Sequence, residues 1–217
     1  MRELDELVVG DQSAWAEILG VVAQSPHIVE VLPADEGMPA SCLHHLQVTT
    51  GSWLGAVTYL SGGIVVDGGW LRVLGSGSIG RGLTDIVAAN QPDSFGLVVA
   101  HDVLGGVFAW AQGSPGDAPT VHYFGPDALD WQDLELGYAA WLTAMLMGAI
   151  EPFYDTLRWP GWPAEVAACR LDQGIHTLPP PWSKEGKDLG KASRRPIPMT
   201  ELVAVHRDMA RQLNGIG

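Results

Sequence analysis

The sequence is poor in cysteine and in positive charge, and each shortage excludes a class of protein. Its two cysteines, Cys42 and Cys169, lie far apart with no C-x-x-C pair, which argues against a disulfide framework or a zinc knuckle. Only 12 Lys and Arg stand against 25 Asp and Glu, for a net charge of −13. Because phosphate contacts need a positive surface, we expect no nucleic-acid partner.

Long hydrophobic runs are also missing. The longest membrane-like run, AAWLTAMLMGAI, is shorter than the roughly 20 residues that span a bilayer. The first residues, MRELDELVVGDQ, lack the basic region and apolar core of a secretion signal. We therefore expect a cytoplasmic protein with no membrane partner, and a reducing cytoplasm agrees with the few cysteines.

The residues that are present predict a folded α+β protein. With 217 residues, 47% of them hydrophobic, and nine tryptophans, the chain can bury a sizeable core in one ordinary domain. Charge is unevenly placed, with a net charge of −16 over residues 1–183 and +3 over residues 184–217. We therefore expect the two parts to present different surfaces.

Short β-branched and aromatic runs predict strands. The runs are HIVEVLP, GIVVD, WLRVL, FGLVVAHD, VFAWA and TVHYF. Glycine pairs join the second run to the third and the fourth to the fifth, which is typical of tight hairpins. We therefore expect a single antiparallel sheet of about five to six strands.

Apolar residues at helical spacing predict helices that pack on this sheet. The first predicted helix is DQSAWAEILGVVAQS, with Asp11 or Ser13 as N-cap, and it is followed by CLHHL, by WLGAVTYL and by LTDIVAAN, which has about two turns. A further helix ends at Gly148 and has on one face Leu134, Tyr138, Trp141, Leu142 and Met145. Two short helices are predicted in EPFYDTLRWPGWPAEVAACRLDQG, and the last helix is TELVAVHRDMARQLNG, with Thr200 as N-cap and Asn214-Gly215 as its stop. The polar, Pro-rich and basic segment PPPWSKEGKDLGKASRRP predicts an extended arm.

The stretch WLRVLGSGSIGRGLTD has the glycine spacing of a dinucleotide-binding loop. Gly75, Gly77 and Gly80 follow a strand as G-x-G-x-x-G, and Asp102 ends the next strand, where a ribose-binding acid belongs. That fold needs a parallel βαβ unit, whereas hairpins flank these strands. We expect a flexible loop and no cofactor, and keep the alternative that these four residues bind a nucleotide or a phosphorylated ligand.

Metal and nucleophile signatures are weak. The metal candidates are His44, His45, His101, Asp102 and His122. Adjacent helical residues point about 100° apart, so the first two do not share a face, while the other two histidines could share a sheet face. The sequence has no G-x-S-x-G elbow and no cysteine in an electropositive setting. We expect no metal and no catalytic residue.

Carboxylates cluster in GPDALDWQDLELG, ahead of a predicted helix. Asp127, Asp130, Asp133 and Glu135 fit helix capping, because the helix dipole favours acids there. They also fit an acidic face for a basic partner. With Asp102 and Trp131 they are our candidate partner-binding residues.

Several of these segments together resemble a known family. The order GIVVDGGWLRVLG, FGLVVAHDVLGGVFAWA, VHYFGPDALDWQDLELGYAAWL and RWPGWPAE, with WSKEGKD and SRRPIP near the end, resembles the bacterial domain-of-unknown-function family 2625. Residues 11–147 are more distantly similar to the SUKH superfamily, in HDVLGGVFAW, the strand before the acidic loop, and the aromatic-bearing helix YAAWL.

The SUKH resemblance implies a fold and a role. The fold is an antiparallel sheet with helices against it, in a domain of residues 1–150. The superfamily pattern does not cover the rest of the chain, and we expect residues 151–217 to form an extension with short helices, the basic Pro-rich arm and a terminal helix packed on the domain. Members include immunity proteins that neutralise toxins, often nucleases, and eukaryotic regulators that act as binding hubs. We expect a non-enzymatic protein-binding module that neutralises a basic toxin through an acidic surface. The alternative is an enzyme or binding protein that uses the Gly75–Gly80 loop.

Overall fold

The computed structural model describes residues 1–10, 12–90, 95–213 and 215. Within these residues it contains a seven-stranded antiparallel sheet, a separate two-stranded sheet, and helices on both sides. The predicted α+β class and antiparallel sheet are confirmed, with one strand more than the upper predicted number. None of the helices in these ranges is both long and apolar enough to cross a bilayer.

The main sheet is a meander in which each strand pairs with the next one along the chain. Its strands are β1 (Val29–Leu32), β2 (Gly63–Val66), β3 (Leu71–Leu74), β4 (Leu97–Asp102), β5 (Val107–Ala111), β6 (Thr120–Phe124) and β7 (Trp131–Asp133). β1 and β7 are the edge strands. In the register, Arg72 pairs with His101, and Phe108 pairs with Tyr123.

Helices cover the first face of this sheet. The helices of the chain are α1 (Leu4–Leu7), α2 (Ser13–Gln24), α3 (Met38–Leu46), α4 (Trp53–Leu60), α5 (Tyr138–Ala144), α6 (Ile150–Phe153), α7 (Trp162–Ala168) and α8 (Met199–Leu213). The ring of Phe108 lies 5.1 Å from that of Trp141 on α5 and 5.8 Å from that of Phe153 on α6. This aromatic layer joins β5 to α5 and α6.

The second face of the sheet meets the C-terminal residues. Strands β8 (Gln173–Leu178) and β9 (Ser193–Pro198) pair with each other, and Ile175 N donates a hydrogen bond to Val103 O at 2.6 Å. The predicted extended arm therefore ends in a paired strand. No strand was predicted here because the segment is rich in charged residues and prolines, although such residues are common on edge strands. The division of the chain near residue 150 stays a prediction.

The segment LTDIVAAN is not the predicted helix. Residues 86–89 form a single turn, in which Asp85 Oδ1 accepts hydrogen bonds from Val87 N and Ala88 N. The side chain of Asn90 then bonds to β4: its Nδ2 donates to Val98 O at 3.0 Å, and its Oδ1 accepts from Val98 N at 2.7 Å. The Asp and Asn side chains replace the main-chain partners that a second helical turn would supply.

The acidic segment before α5 is also different from its prediction. The helix that was predicted to include Leu134 begins only at Tyr138, and residues 131–133 form β7. The carboxylates therefore do not cap a helix. Asp130 accepts a hydrogen bond from Trp131 N and Asp133 accepts one from Glu135 N, both at 2.8 Å.

The predicted helix ends are off by one or two residues. Gln12 is the N-cap of α2, so Ser13 is its first residue, and α8 begins before Thr200. The alternative cap Asp11 and the predicted stop residue Asn214 lie outside the described residues. Gly148 has φ 114° and, together with Met147, departs from helical geometry, so the kink between α5 and α6 lies at the predicted stop residue.

Candidate functional site

An exposed acidic edge surrounds β7, and we define it as Asp127, Asp130, Asp133 and Glu135. Three of these carboxylates are exposed, and Asp127 is half-buried. None of the four makes an ion pair with a Lys or Arg of the described chain; Asp133 Oδ2 lies 3.8 Å from His122 Nε2. A hydrogen bond from Glu135 N, with a smaller contribution from Thr120, lowers the pKa of Asp133. The edge is therefore negative at neutral pH.

Aromatic side chains adjoin the acidic edge. Trp131, on β7, is stacked on Phe95 with the ring centroids 4.5 Å apart. Phe95 also meets His122 edge-on at 5.1 Å and remains 39% exposed. Protein interfaces commonly place aromatic side chains at the centre and polar side chains around them. The structure therefore brings Trp131 together with the predicted carboxylates of β7.

Asp102 lies apart from this edge, in the interior. It has no exposed surface and accepts four hydrogen bonds. Its Oδ1 accepts from Leu104 N and Gly106 N at 2.9 Å, and its Oδ2 accepts from Tyr123 OH at 2.7 Å and Tyr154 OH at 3.1 Å. Burial raises the pKa of Asp102, and these hydrogen bonds oppose that rise. Its observed role is to join the β4–β5 turn to β6 and to the segment after α6.

The Gly75–Gly80 loop folds against its own neighbours. Ser76 N and Gly77 N donate to Ser61 O and Gly62 O at 3.0 Å, and Ile79 N donates to the Asp35 carboxylate at 2.6 Å. These amides therefore already have acceptors, which a phosphate would have to replace.

The surroundings of this loop differ from those of a dinucleotide site. Gly75 is needed for packing, since a Cβ there would lie 2.5 Å from Ser61 O, and Gly77 has φ 88°. The strands before and after the loop are antiparallel, and the loop leads into a 3-10 turn, Ile79–Arg81. Asp102 is buried in its own network. The structure does not bring the glycines and Asp102 together into a phosphate-binding turn.

The candidate metal-binding histidines are dispersed. His44 and His45 lie on α3, whereas His101 and His122 lie on β4 and β6 with β5 between them. His101 is level with Val107 and His122 with Ala109, so the two share a face of the sheet but are separated by a whole strand. Within the described ranges, no three His, Cys, Asp or Glu residues are grouped as metal ligands.

Two histidines with lowered pKa values should make stability fall in acid. Burial lowers the pKa of His206 to about 4, with His176 adding to the effect, and burial also lowers that of His101 to about 4. A histidine whose pKa is lower in the folded than in the unfolded state contributes to the free energy of unfolding. This contribution is complete above pH ~6.5 and is lost as the pH falls toward ~4. For His206, which is 3% exposed, the loss is about 3 kcal/mol at most.

The measurement is urea unfolding between pH 7.5 and 4.5. His206→Leu should show a shallower fall in unfolding free energy than the wild type, while exposed His45→Gln should keep the wild-type slope. The raised pKa of Asp102 has the opposite effect, since it makes the free energy of unfolding rise as the pH falls. Asp102 is present in every variant, so its effect cancels when their slopes are compared. Equal slopes for the wild type and His206→Leu would contradict the assignment of a lowered pKa to His206.

Two arginines on the second face of the sheet were not among the residues predicted from the sequence. Arg72 of β3 is 1% exposed, beside His101 of β4, and both line a cavity with Arg207 of α8. A charged residue inside the apolar run WLRVL is the signal that could have drawn attention to it.

Comparisons with known proteins identify relatives over nearly the whole chain. The chain is 35% identical over 208 residues to the putative uncharacterized protein YbfG of Escherichia coli, which covers 93% of this chain and 94% of that protein. It is 35% identical over 174 residues to an uncharacterized protein of Haemophilus influenzae, over 76% of each chain. No solved structure matches significantly, and the SUKH resemblance stays a prediction. Residues 4–202 match the family described as protein of unknown function DUF2625, and the chain belongs to that family.

Proposed function

We propose that the protein is a non-enzymatic protein-binding module whose acidic edge binds a basic partner protein. The observation that carries the proposal is a set of four carboxylates on and beside the edge strand β7, three of them exposed, none of which pairs with a Lys or Arg of the described residues. Residues 82–157 contain ten Asp and Glu and no Lys or Arg, so this part of the chain cannot neutralise them itself. A basic protein would supply the missing charge and be steered toward the edge from a distance.

The position of β7 supports a protein partner over a small cation. Hydrogen bonds continue past the strand, from Leu134 N to Val121 O at 2.9 Å and from Val121 N to Leu136 O at 2.7 Å. They hold the segment against β6, while at Glu135, where φ is 58°, the backbone leaves the extended conformation; the side chains of Asp133 and Glu135 are both exposed. The stacked pair of Trp131 and Phe95 adds apolar contact area beside these carboxylates. Charge and apolar area together are what a protein interface requires.

Neutralisation of a basic toxin is the concrete version of this proposal. It rests on the resemblance to the SUKH superfamily and on the net charge of −13, which suits masking of a basic enzyme surface. We also propose a cytoplasmic location, supported by the two free thiols of Cys42 and Cys169, which suit a reducing compartment. A secreted-toxin gene beside this gene would identify the partner to be tested first.

A charge-neutralised variant tests the acidic edge. We expect Asp130→Asn/Asp133→Asn/Glu135→Gln to lose capture of a basic protein by about tenfold or more, because three charge contacts are removed. The measurement is affinity capture from a bacterial lysate, with identification of the captured protein and its titration against purified wild type. Binding by the wild type should weaken steeply between low salt and about 0.5 M salt, because added ions screen exposed charges.

A matched triple variant separates local recognition from overall charge. Asp5, Glu36 and Glu201 are exposed and lie outside the acidic edge, so their conversion to amides changes the net charge equally. This control should bind as the wild type does. If both triple variants lose the partner to the same extent, the acidic edge is not the binding surface. Binding that is insensitive to salt would exclude the electrostatic mechanism.

A further inference from the structure

A cavity of about 450 Å³ lies on the second face of the main sheet, away from the acidic edge. Arg72 and Leu74 of β3 and His101 of β4 form one wall, and α8 forms another with Val203 and Arg207. The loop that follows β3 contributes a further wall. The volume is in the range of about 300 to 1,000 Å³ that small-molecule sites occupy.

Arg72 is a buried cation with one unused donor group. Its Nε donates to Gly69 O at 3.0 Å, and its Nη1 donates to Leu171 O at 3.2 Å and to Gln173 O. Its Nη2 is buried and has no nitrogen or oxygen acceptor among the described residues, and the Cys169 thiol is a further hydrogen-bonding neighbour of the guanidinium. The acceptors that it has are neutral carbonyl oxygens, so they satisfy hydrogen bonds without balancing the charge.

The neighbours of Arg72 do not supply the balancing charge in contact with it. Burial raises the pKa of the nearby Cys169 thiol, which therefore stays protonated at neutral pH. Asp102 and Asp172 attract the guanidinium, but neither forms an ion pair with it in the described chain. An uncompensated buried guanidinium is costly, because it cannot lose its proton at neutral pH.

Two more polar groups of the cavity wall have no partner. His101 Nδ1 is buried and makes no hydrogen bond to the described residues. Burial and the charges of Arg72 and Arg207 lower the pKa of His101 to about 4, so the imidazole is neutral at pH 7. Arg207 makes neither an ion pair nor a hydrogen bond within the described residues, although it is half-buried.

The remaining charges of the wall cancel one another. Asp208 pairs with Arg211 one helical turn away, and Asp172 pairs with Arg170 at 3.0 Å. Arg72 and Arg207 are left unbalanced in a protein whose net charge is −13. A positive interior site in so acidic a chain selects for an anion.

The rest of the wall is apolar, with Leu74, Leu83, Leu171, Met199 and Val203 around the cationic end. We infer that the cavity binds a small organic anion, whose carboxylate or phosphate group contacts Arg72 and Arg207 and whose apolar body fills the remaining space. The neutral imidazole of His101 can donate or accept one further hydrogen bond to this head group. The site is independent of the acidic edge and of the proposed protein partner.

Isothermal titration with four probes tests this inference: octanoate, octyl phosphate, octanol and inorganic phosphate. We expect saturable one-to-one binding of octanoate or octyl phosphate, and the tighter of the two identifies the head group. Octanol and inorganic phosphate should each bind about tenfold more weakly or not at all, because each lacks half of the recognised chemistry.

Two variants at the surface of α8 keep the test independent of folding. Arg207→Gln should weaken binding by about tenfold, since it removes a charge-assisted contact. Ala204→Trp should block entry without changing charge, because Ala204 is exposed and lines the cavity. Arg195→Gln is the matched control: Arg195 is an exposed arginine of β9 outside the cavity, and its loss should leave binding unchanged.

Three results would overturn the inference. The first is failure of both octanoate and octyl phosphate to bind at millimolar concentration. The second is that octanol binds as tightly as octanoate or octyl phosphate, or that inorganic phosphate binds as tightly as octyl phosphate. The third is unchanged affinity in both Arg207→Gln and Ala204→Trp.

Discussion

Asp102→Ala should lower the free energy of unfolding by about 3 to 5 kcal/mol. The substitution leaves four buried donors without their acceptor: the amides of Leu104 and Gly106 and the hydroxyls of Tyr123 and Tyr154. Water does not reach them, because Asp102 is fully buried. Urea unfolding at pH 7, followed by circular dichroism, measures the loss.

Asp102→Asn is the matched variant, since it keeps the shape of the side chain. Its carbonyl oxygen can accept from both main-chain amides, and its amide can donate to tyrosine hydroxyls that accept as well. We expect a loss of about 1 to 2 kcal/mol. If Asp102→Ala costs less than about 1 kcal/mol, the network does not stabilise the fold as we describe.

Trp70→Ala should cost a similar amount, about 3 to 5 kcal/mol. Trp70 has no exposed surface and meets Tyr154, Trp159 and Trp162 with ring centroids 5.3, 5.8 and 5.0 Å away. The Arg158 guanidinium lies 5.0 Å from its ring. Removal of the indole leaves a cavity between β3 and the segment around α7, which the other three aromatic rings cannot fill.

Hydrogen exchange shows where this loss occurs. In Trp70→Ala, amides of residues 154–168 should exchange faster, while those of β5 and β6 should keep their protection. This outcome would support the predicted division near residue 150, whereas uniform loss of protection would contradict it. Trp53→Ala is the control: Trp53 is only half-buried, and its Nε1 bonds an exposed Glu17 at 3.0 Å. We expect less than half the loss there.

The candidate site was only partly accessible to sequence analysis. The carboxylates of the acidic edge were found from composition and spacing, but their setting was predicted as a helix start. Leu134, Tyr138 and Trp141 have apolar spacing that fits a helix, and three residues of strand are too few to show alternation. Pairing with β6, which is a tertiary contact, decides in favour of the strand.

The sequence by itself determined the α+β class, an antiparallel sheet of about five to six strands with two glycine hairpins, and the resemblance to the DUF2625 family. These follow from local apolar patterns and from glycine turns, which act over a few residues. Only the tertiary structure decided the burial of Asp102, the pairing of β8 with β9, and the cavity around Arg72. The reason is physical: each depends on residues that are between 15 and 101 positions apart, from Leu178 and Ser193 to Arg72 and Gln173, whose contact no local pattern encodes.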